Sequence, residues 1–198
     1  MFYRADEAHD LPFDPFKAIV APRPIGWIGT LNADGVPNLG PYSFFAALSS
    51  RPHMIGFSSE GLKHSPRNAR DRGEFTFSLA TLALAGAMNA SSASLPDGAN
   101  EFAAAGLEMG RSRVIAAPFV RDSPAALECK TVHFMELTDI NCRATDRFFI
   151  VGQVVAVHIR DEFIVDGRFD TARAQPLSRA GYQDYATVAE VWEMRRPG

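Results

Sequence analysis

The chain is poor in cysteine. Cys129 and Cys142 are the only two in 198 residues, which is no disulfide framework, and no second cluster adds metal ligands at a usual spacing. A reducing compartment is the expectation. A basic excess is missing as well. The formal net charge of −3 at pH 7 gives no electrostatic ground for nucleic acid or an anionic membrane as the main partner. No stretch reaches the roughly 18 apolar residues of a membrane span. Met1 to Glu7 lacks a basic region leading into an apolar run, so the start does not read as a secretory signal, and the cytoplasm is the expected location. Signature motifs are absent too. There is no Gly-x-Ser-x-Gly elbow, no His-Glu-x-x-His and no Gly-x-Gly-x-x-Gly after a strand. Ser43, Ser65, His53, His64 and His133 are available, but they form no convincing triad.

What is present belongs to a folded, β-rich chain. Apolar residues make up 46% and charged residues 22%, and the length suits one domain, residues 1–198, with an irregular C-terminal arm from about residue 166. Fifteen phenylalanines fit a β-rich interior with a large oligomer interface, or an aromatic-lined cleft. Ile25 to Leu31 reads as a strand ending at the turn Asn32-Ala33-Asp34-Gly35, and Asn38 to Phe45 as its extended partner. Gly26, Gly29 and Gly40 weaken those strands. They call for sharp curvature or for a flat ligand close to the backbone. Met54 to Ser58 predicts a short strand and Phe75 to Leu79 a half-buried one. A helix is expected from Pro66 to Arg72, capped by Ser65 and stopped at Gly73. Helical stretches follow at Leu82 to Ala90 and Asn100 to Ala105, around a turn at Leu95-Pro96-Asp97-Gly98. Leu127 to Leu137 and Arg147 to Ile159 are the longest strands. In the second, Phe149, Val151, Gln153, Val155 and Val157 share one face and Ile150, Gly152, Val154, Ala156 and His158 the other. Both faces are largely apolar, so both should be covered by core, helix or a partner subunit. A last strand is expected near Val188 to Met194. The order lacks a strand–helix repeat, and the pattern predicts a mainly β fold, a barrel with short inserted helices.

Three segments concentrate polar chemistry. In Ala21 to Trp27, two prolines hold Arg23 in an extended setting, where it is either a surface arginine on a rigid linker or a fixed cation for a phosphate or a carbonyl-rich ring. In Asn38 to Phe45, Asn38 and Ser43 can exchange hydrogen bonds with ring heteroatoms, or they cap a core strand. In Lys63 to Asn68, a helix start, a hydroxyl and the cations Lys63 and Arg67 converge. They make an anion site or an ordinary capped helix with surface charges. His158 reads either as a partly buried histidine bonded to backbone or a carboxylate, or as a group beside a cofactor. Weak acid–base equipment with a good groove is the pattern of an enzyme whose cofactor performs the chemistry.

The same segments resemble the flavin-reductase-like family of FMN-binding split barrels, related to the pyridoxamine-phosphate-oxidase superfamily. The likeness runs from about Leu11 to Met194. It rests on Arg23-Pro24-Ile25-Gly26-Trp27, on Asn38, Pro41 and Ser43-Phe44-Phe45, and on Lys63, Ser65 and Asn68. Met88 to Ser92, Ser123 to Lys130 and Gly152 to His158 add to it. The resemblance implies FMN held by Arg23, Trp27, Thr30, Asn38, Ser43, Phe44, Lys63, Ser65, Asn68 and Asn89, with His158 as the catalytic candidate, and no metal. It implies a homodimer with FMN near the subunit interface, NADH or NADPH as electron donor, and free flavin or an oxygenase partner as acceptor. An FMN-binding electron carrier without productive NAD(P)H use is the alternative. Two positions depart from the family pattern: His64 stands where aspartate is frequent, and Leu177 to Tyr182 is a degraded glycine- and tyrosine-containing segment.

Overall fold

The computed structural model describes residues 1–96 and 98–197. Seven strands form one antiparallel sheet: β1 Gly26–Leu31, β2 Pro37–Tyr42, β3 Phe45–Ser50, β4 His53–Glu60, β5 Glu74–Leu79, β6 Ala125–Thr138 and β7 Ala144–Ile159. Their spatial order is β2-β1-β5-β6-β7-β4-β3. The sheet curls until its two sides meet. There the Tyr42 ring of β2 lies 4.9 Å from that of Phe57 of β4. Among the described residues, three helices lie between strands of this sheet: α1 His64–Arg72, α2 Ala85–Ala90 and α3 Glu101–Ala104.

Alternation along β1 explains the two cores. Trp27 turns outward into a layer with Met88 of α2, Phe102 of α3 and Leu177. Ile28 turns into the barrel with Ile55, Phe57, Phe75 and Ile150. Successive side chains of a strand face opposite ways, so a strand buried on both faces carries apolar residues on both, as Trp27 and Ile28 of β1 do. The Ala69 side chain of α1 also enters the barrel core, and this insertion brings the start of α1 against β1 and β2.

Several sequence expectations need correction. The extended stretch expected to Phe45 breaks at Ser43 and Phe44, a bend between β2 and β3. Helix α1 begins at His64 with Lys63 in the N-cap position, so Ser65 is inside the first turn and is not the cap. Gly73 does end that helix, at φ +68°. Strict alternation in β7 fails, because register shifts between Val151 and Gly152 and between Val154 and Ala156 leave Ile150, Val151 and Gly152 all buried. Such bulges add a residue on one strand and re-aim the side chains beyond it. The last strand is Tyr185–Thr187, not Val188 to Met194. It pairs with Leu177–Arg179, which pairs with Arg23–Pro24. The expected turn Leu95 to Gly98 includes Asp97, which lies outside the described residues.

Two glycines of β1 owe their identity to packing against the protein itself, neither to curvature nor to a ligand. A Cβ on Gly26 would lie 2.4 Å from the Phe45 ring, and one on Gly29 would lie 2.3 Å from the Pro118 carbonyl.

Candidate functional site

A cleft of about 500 Å³ opens where β2, the start of α1 and the segment after α2 meet. Its lining includes Asn38, Gly40, Tyr42, Lys63, Ser65 and Ser92. Behind it lies a buried polar network. Asn38 Nδ2 donates to Ser65 Oγ at 2.8 Å and to Thr30 Oγ1 at 3.1 Å, and Asn68 Nδ2 donates to Thr30 Oγ1 at 3.1 Å. Register explains the first contacts, since Asn38 lies directly across from Thr30 in the β1–β2 ladder. Position 68 lies one helical turn beyond Ser65, on the same face of α1. The network therefore ties the hairpin to the helix and fixes the helix start against the cleft.

The electrostatics of that corner are mixed. Lys63 is exposed, and α1 has no side-chain cap at its first turn. The positive end of the helix dipole favours an anion there, although Pro66 in the first turn brings no N–H. Burial pushes the Tyr42 phenol up and the Glu101 charge adds to the effect, while hydrogen bonds from Ser65 and Ser59 oppose it. Glu101 also lines the cleft. Its Oε2 accepts from the Leu39 N–H at 3.3 Å, which anchors α3 to β2.

Of the residues singled out in the sequence, Asn38, Lys63 and Ser65 line the cleft. Thr30 and Asn68 support it from behind. Trp27 is fully buried and has no surface for a ligand. Its Nε1 donates to Ser91 Oγ at 2.9 Å, which holds one wall of the cleft in place. Asn89 is exposed on α2 and does not line the cleft. Ser43 is half-buried in the bend before β3.

Arg23 is neither a surface arginine nor a lining residue. It is 8% exposed, and its guanidinium donates to the Lys17 and Val20 carbonyls and, at 2.9 Å, to the Ala180 carbonyl. Its Cζ sits 5.8 Å from the centroid of the Phe44 ring. Arg23 and Phe44 thus join the N-terminal segment to the C-terminal hairpin.

Within one chain His158 is in a different cleft, of about 390 Å³, which shares no lining residue with the first. Its Nε2 lies 2.6 Å from Glu128 Oε1, and its ring is 4.5 Å from that of Phe119. The partly buried, carboxylate-bonded reading of His158 is the one the geometry matches. Glu128, fully buried, also accepts from the backbone N–H groups of Arg113, Val114 and Ile115 at 2.7 to 2.9 Å. Burial alone would raise its carboxyl, but these hydrogen bonds and the one to His158 outweigh burial and hold it at about 2. Sequence reasoning missed Glu128, although a charged residue two positions from Ala126 and Lys130 in an apolar strand was a visible irregularity. Tyr42 and Glu101 were missed as well. Both follow from the bend and the α3 docking, which no local pattern reveals.

The flavin reductase like domain family matches residues 20–173. The chain belongs to this family. A Deinococcus radiodurans protein is 33% identical over 192 residues, covering 90% of this chain and 82% of that protein. The fold superposes on nitrilotriacetate monooxygenase component B from Bacillus cereus with a TM-score of 0.87, at 26% identity and 98% coverage of both chains. It also superposes on the split barrel domain of a Shewanella frigidimarina protein with a TM-score of 0.82, at 23% identity, covering 92% of this chain and 90% of that one. The mainly β split-barrel architecture expected from the sequence is thereby established, and the chain is a flavin-reductase-like split barrel.

Proposed function

We propose that this flavin-reductase-like chain binds FMN in the cleft beside Lys63 and works as an oxidoreductase, passing hydride from NADH or NADPH through FMN to a free flavin or another acceptor. The observation that carries the reading is the anion corner at the start of α1, backed by the Thr30–Asn38–Asn68–Ser65 network. The donor set fits a phosphate ester. Lys63 brings charge, and the start of α1 brings the positive end of the helix dipole. The sequence offers no fingerprint for an adenine dinucleotide, which favours FMN over FAD. When bound, FMN supplies the two-electron chemistry. The chain's own contribution is to hold the ligand. Lys63 pairs with the phosphate, Asn38 and Ser65 fix the neighbouring wall, and the serine segment after α2 borders the opposite side. No side chain is assigned a proton transfer.

The acceptor is drawn from the fold's closeness to component B of a monooxygenase, which favours delivery of reduced flavin to an oxygenase partner. The protein is also proposed to be a homodimer. Val132, Met135, Val155, Val157 and Ile159 on β6 and β7 are 38 to 54% exposed, and an apolar strip of that kind calls for a second copy.

Chromatography of the flavin released from purified protein, followed by NADH and NADPH oxidation at saturating FMN, tests the reading. FMN as the bound species with oxidation of either nucleotide supports it. FMN binding with no oxidation of either would return the chain to an electron carrier, and no flavin uptake would refute both.

A further inference from the structure

Outside the proposed flavin cleft, the cleft above His158 has the composition of a second ligand site. Four arginines border it: Arg111, Arg113, Arg121 and Arg160. Two are already paired. Arg121 bonds Glu108, and Arg160 Nη2 lies 2.5 Å from Glu162 Oε1. Among the described residues, the Arg111 and Arg113 side chains have no hydrogen bond or ion pair, although both stand on a loop held in place from below. That loop is fixed by two acidic side chains. Glu128 takes the N–H groups of residues 113 to 115, and Glu74 takes those of Ala116 and Ala117 at 2.7 and 3.3 Å. The Lys130 ammonium secures Glu74 in turn, at 2.7 Å. Glu128 and Glu74 bind the loop's amides, so they anchor the rim without pairing with the Arg111 or Arg113 guanidinium.

The cleft therefore has two unpaired guanidinium groups on its rim and, beside them, the rings of Phe119 and His158, tilted at 35° with centroids 4.5 Å apart. Two free guanidinium groups match a phosphate dianion by forked hydrogen bonding. A flat ring attached to that phosphate finds aromatic neighbours. The volume of about 390 Å³ suits a mononucleotide-sized ligand. We infer that this cleft binds a nucleotide phosphate, either a free mononucleotide or the end of a larger nucleotide, with Arg111 and Arg113 on the phosphate and the base over Phe119. The inference goes beyond the flavin reading and does not depend on it.

The test is calorimetric titration of the full-length, FMN-loaded protein with 5′-AMP, adenosine and inorganic phosphate, repeated on Arg111→Ala/Arg113→Ala. Both side chains are exposed, and the Arg113 N–H to Glu128 survives the substitution, so the variant keeps its fold and its FMN affinity. Binding of one AMP per chain beside FMN, weakened about tenfold or more in the double variant and much weaker for adenosine, is the expected result. Absence of AMP binding, or equal binding by the variant, would overturn it. Displacement of FMN by AMP would also overturn it, because AMP would then occupy the flavin cleft. Inorganic phosphate binding as tightly as AMP would remove the ring from the proposal and overturn it as stated. Failure of FMN binding with intact AMP binding would count against the flavin reading alone.

Discussion

At the scale of single residues, the chain's buried charges act on structure before chemistry. Glu128 is the clearest case. Its carboxylate satisfies three backbone amides and His158, so Glu128→Gln leaves a weaker acceptor in a dry site and is expected to cost about 3 kcal/mol, measured by urea denaturation at pH 7. The pH dependence follows from the same group. A folded-state value near 2, below the ordinary value of 4.5, means that its stabilising contribution is complete above about pH 4.5 and is lost as pH falls toward 2. Acid denaturation of the wild type should therefore steepen in that window, and the Glu128→Gln variant should lose that component. A variant with the same acid profile as the wild type would contradict the assignment. Arg23 gives a second residue-scale expectation. Arg23→Met removes the ties to the Lys17, Val20 and Ala180 carbonyls. It should lower stability by about 2 kcal/mol while leaving FMN affinity within about twofold, because Arg23 is a structural node outside the cleft. A large fall in affinity with unchanged stability would restore the ligand role that its setting between two prolines had suggested.

At the scale of elements, the parts legible in the sequence were those where local chemistry decides conformation. The Asp34-Gly35 turn and the Gly73 stop of α1 followed from residue type alone, whereas β5, expected to be half-buried, has Phe75, Thr76 and Ser78 all buried because Thr76 and Ser78 bond the Pro118–Val120 segment. Parts set by contacts across the fold were not legible. The helix start moved from Ser65 to Lys63 because Ser65 is held by Asn38, 27 positions away in the chain, and a long-range partner overrode the usual capping preference. The strand expected near Val188 formed earlier, at Tyr185–Thr187, because the register of Leu177–Arg179 against Arg23–Pro24 selects its partner. In the candidate site, Asn38, Lys63 and Ser65 were visible as polar residues at an element boundary. Trp27 and Asn89 were drawn in by likeness, and packing sends Trp27 into the core and leaves Asn89 on the surface. The tight β1 packing yields its own expectation. Gly26→Ala would force a methyl group against the Phe45 ring, which stacks on Phe77 at 4.9 Å, and should destabilise the fold by about 1–3 kcal/mol. Thermal melts that show no loss would mean that the β1–β3 contact yields freely.

At the scale of the whole molecule, the exposed apolar residues of β6 and β7 underlie the proposed homodimer. The substitution Val157→Asp places a charge in the middle of that strip and should convert a homodimer to a monomer in light scattering at micromolar concentration, with little change in far-ultraviolet circular dichroism. A wild-type protein that is already monomeric would remove the interface from the account. The same scale separates the two clefts. One sits at the helix start that faces the β1–β2 hairpin and the other at the far end of β7 under an arginine rim, and within one chain they share no lining residue. The central claim is that the phosphate of FMN is read by Lys63 at the start of α1. The most direct measurement is a fluorescence titration of wild type and Lys63→Ala with FMN and, in parallel, with riboflavin, which has the ring but no phosphate. The account predicts about tenfold weaker FMN binding in the variant, unchanged riboflavin binding and an unchanged melting temperature for the apo protein. Equal FMN affinity in the two proteins, or equal weakening of both ligands, would contradict it.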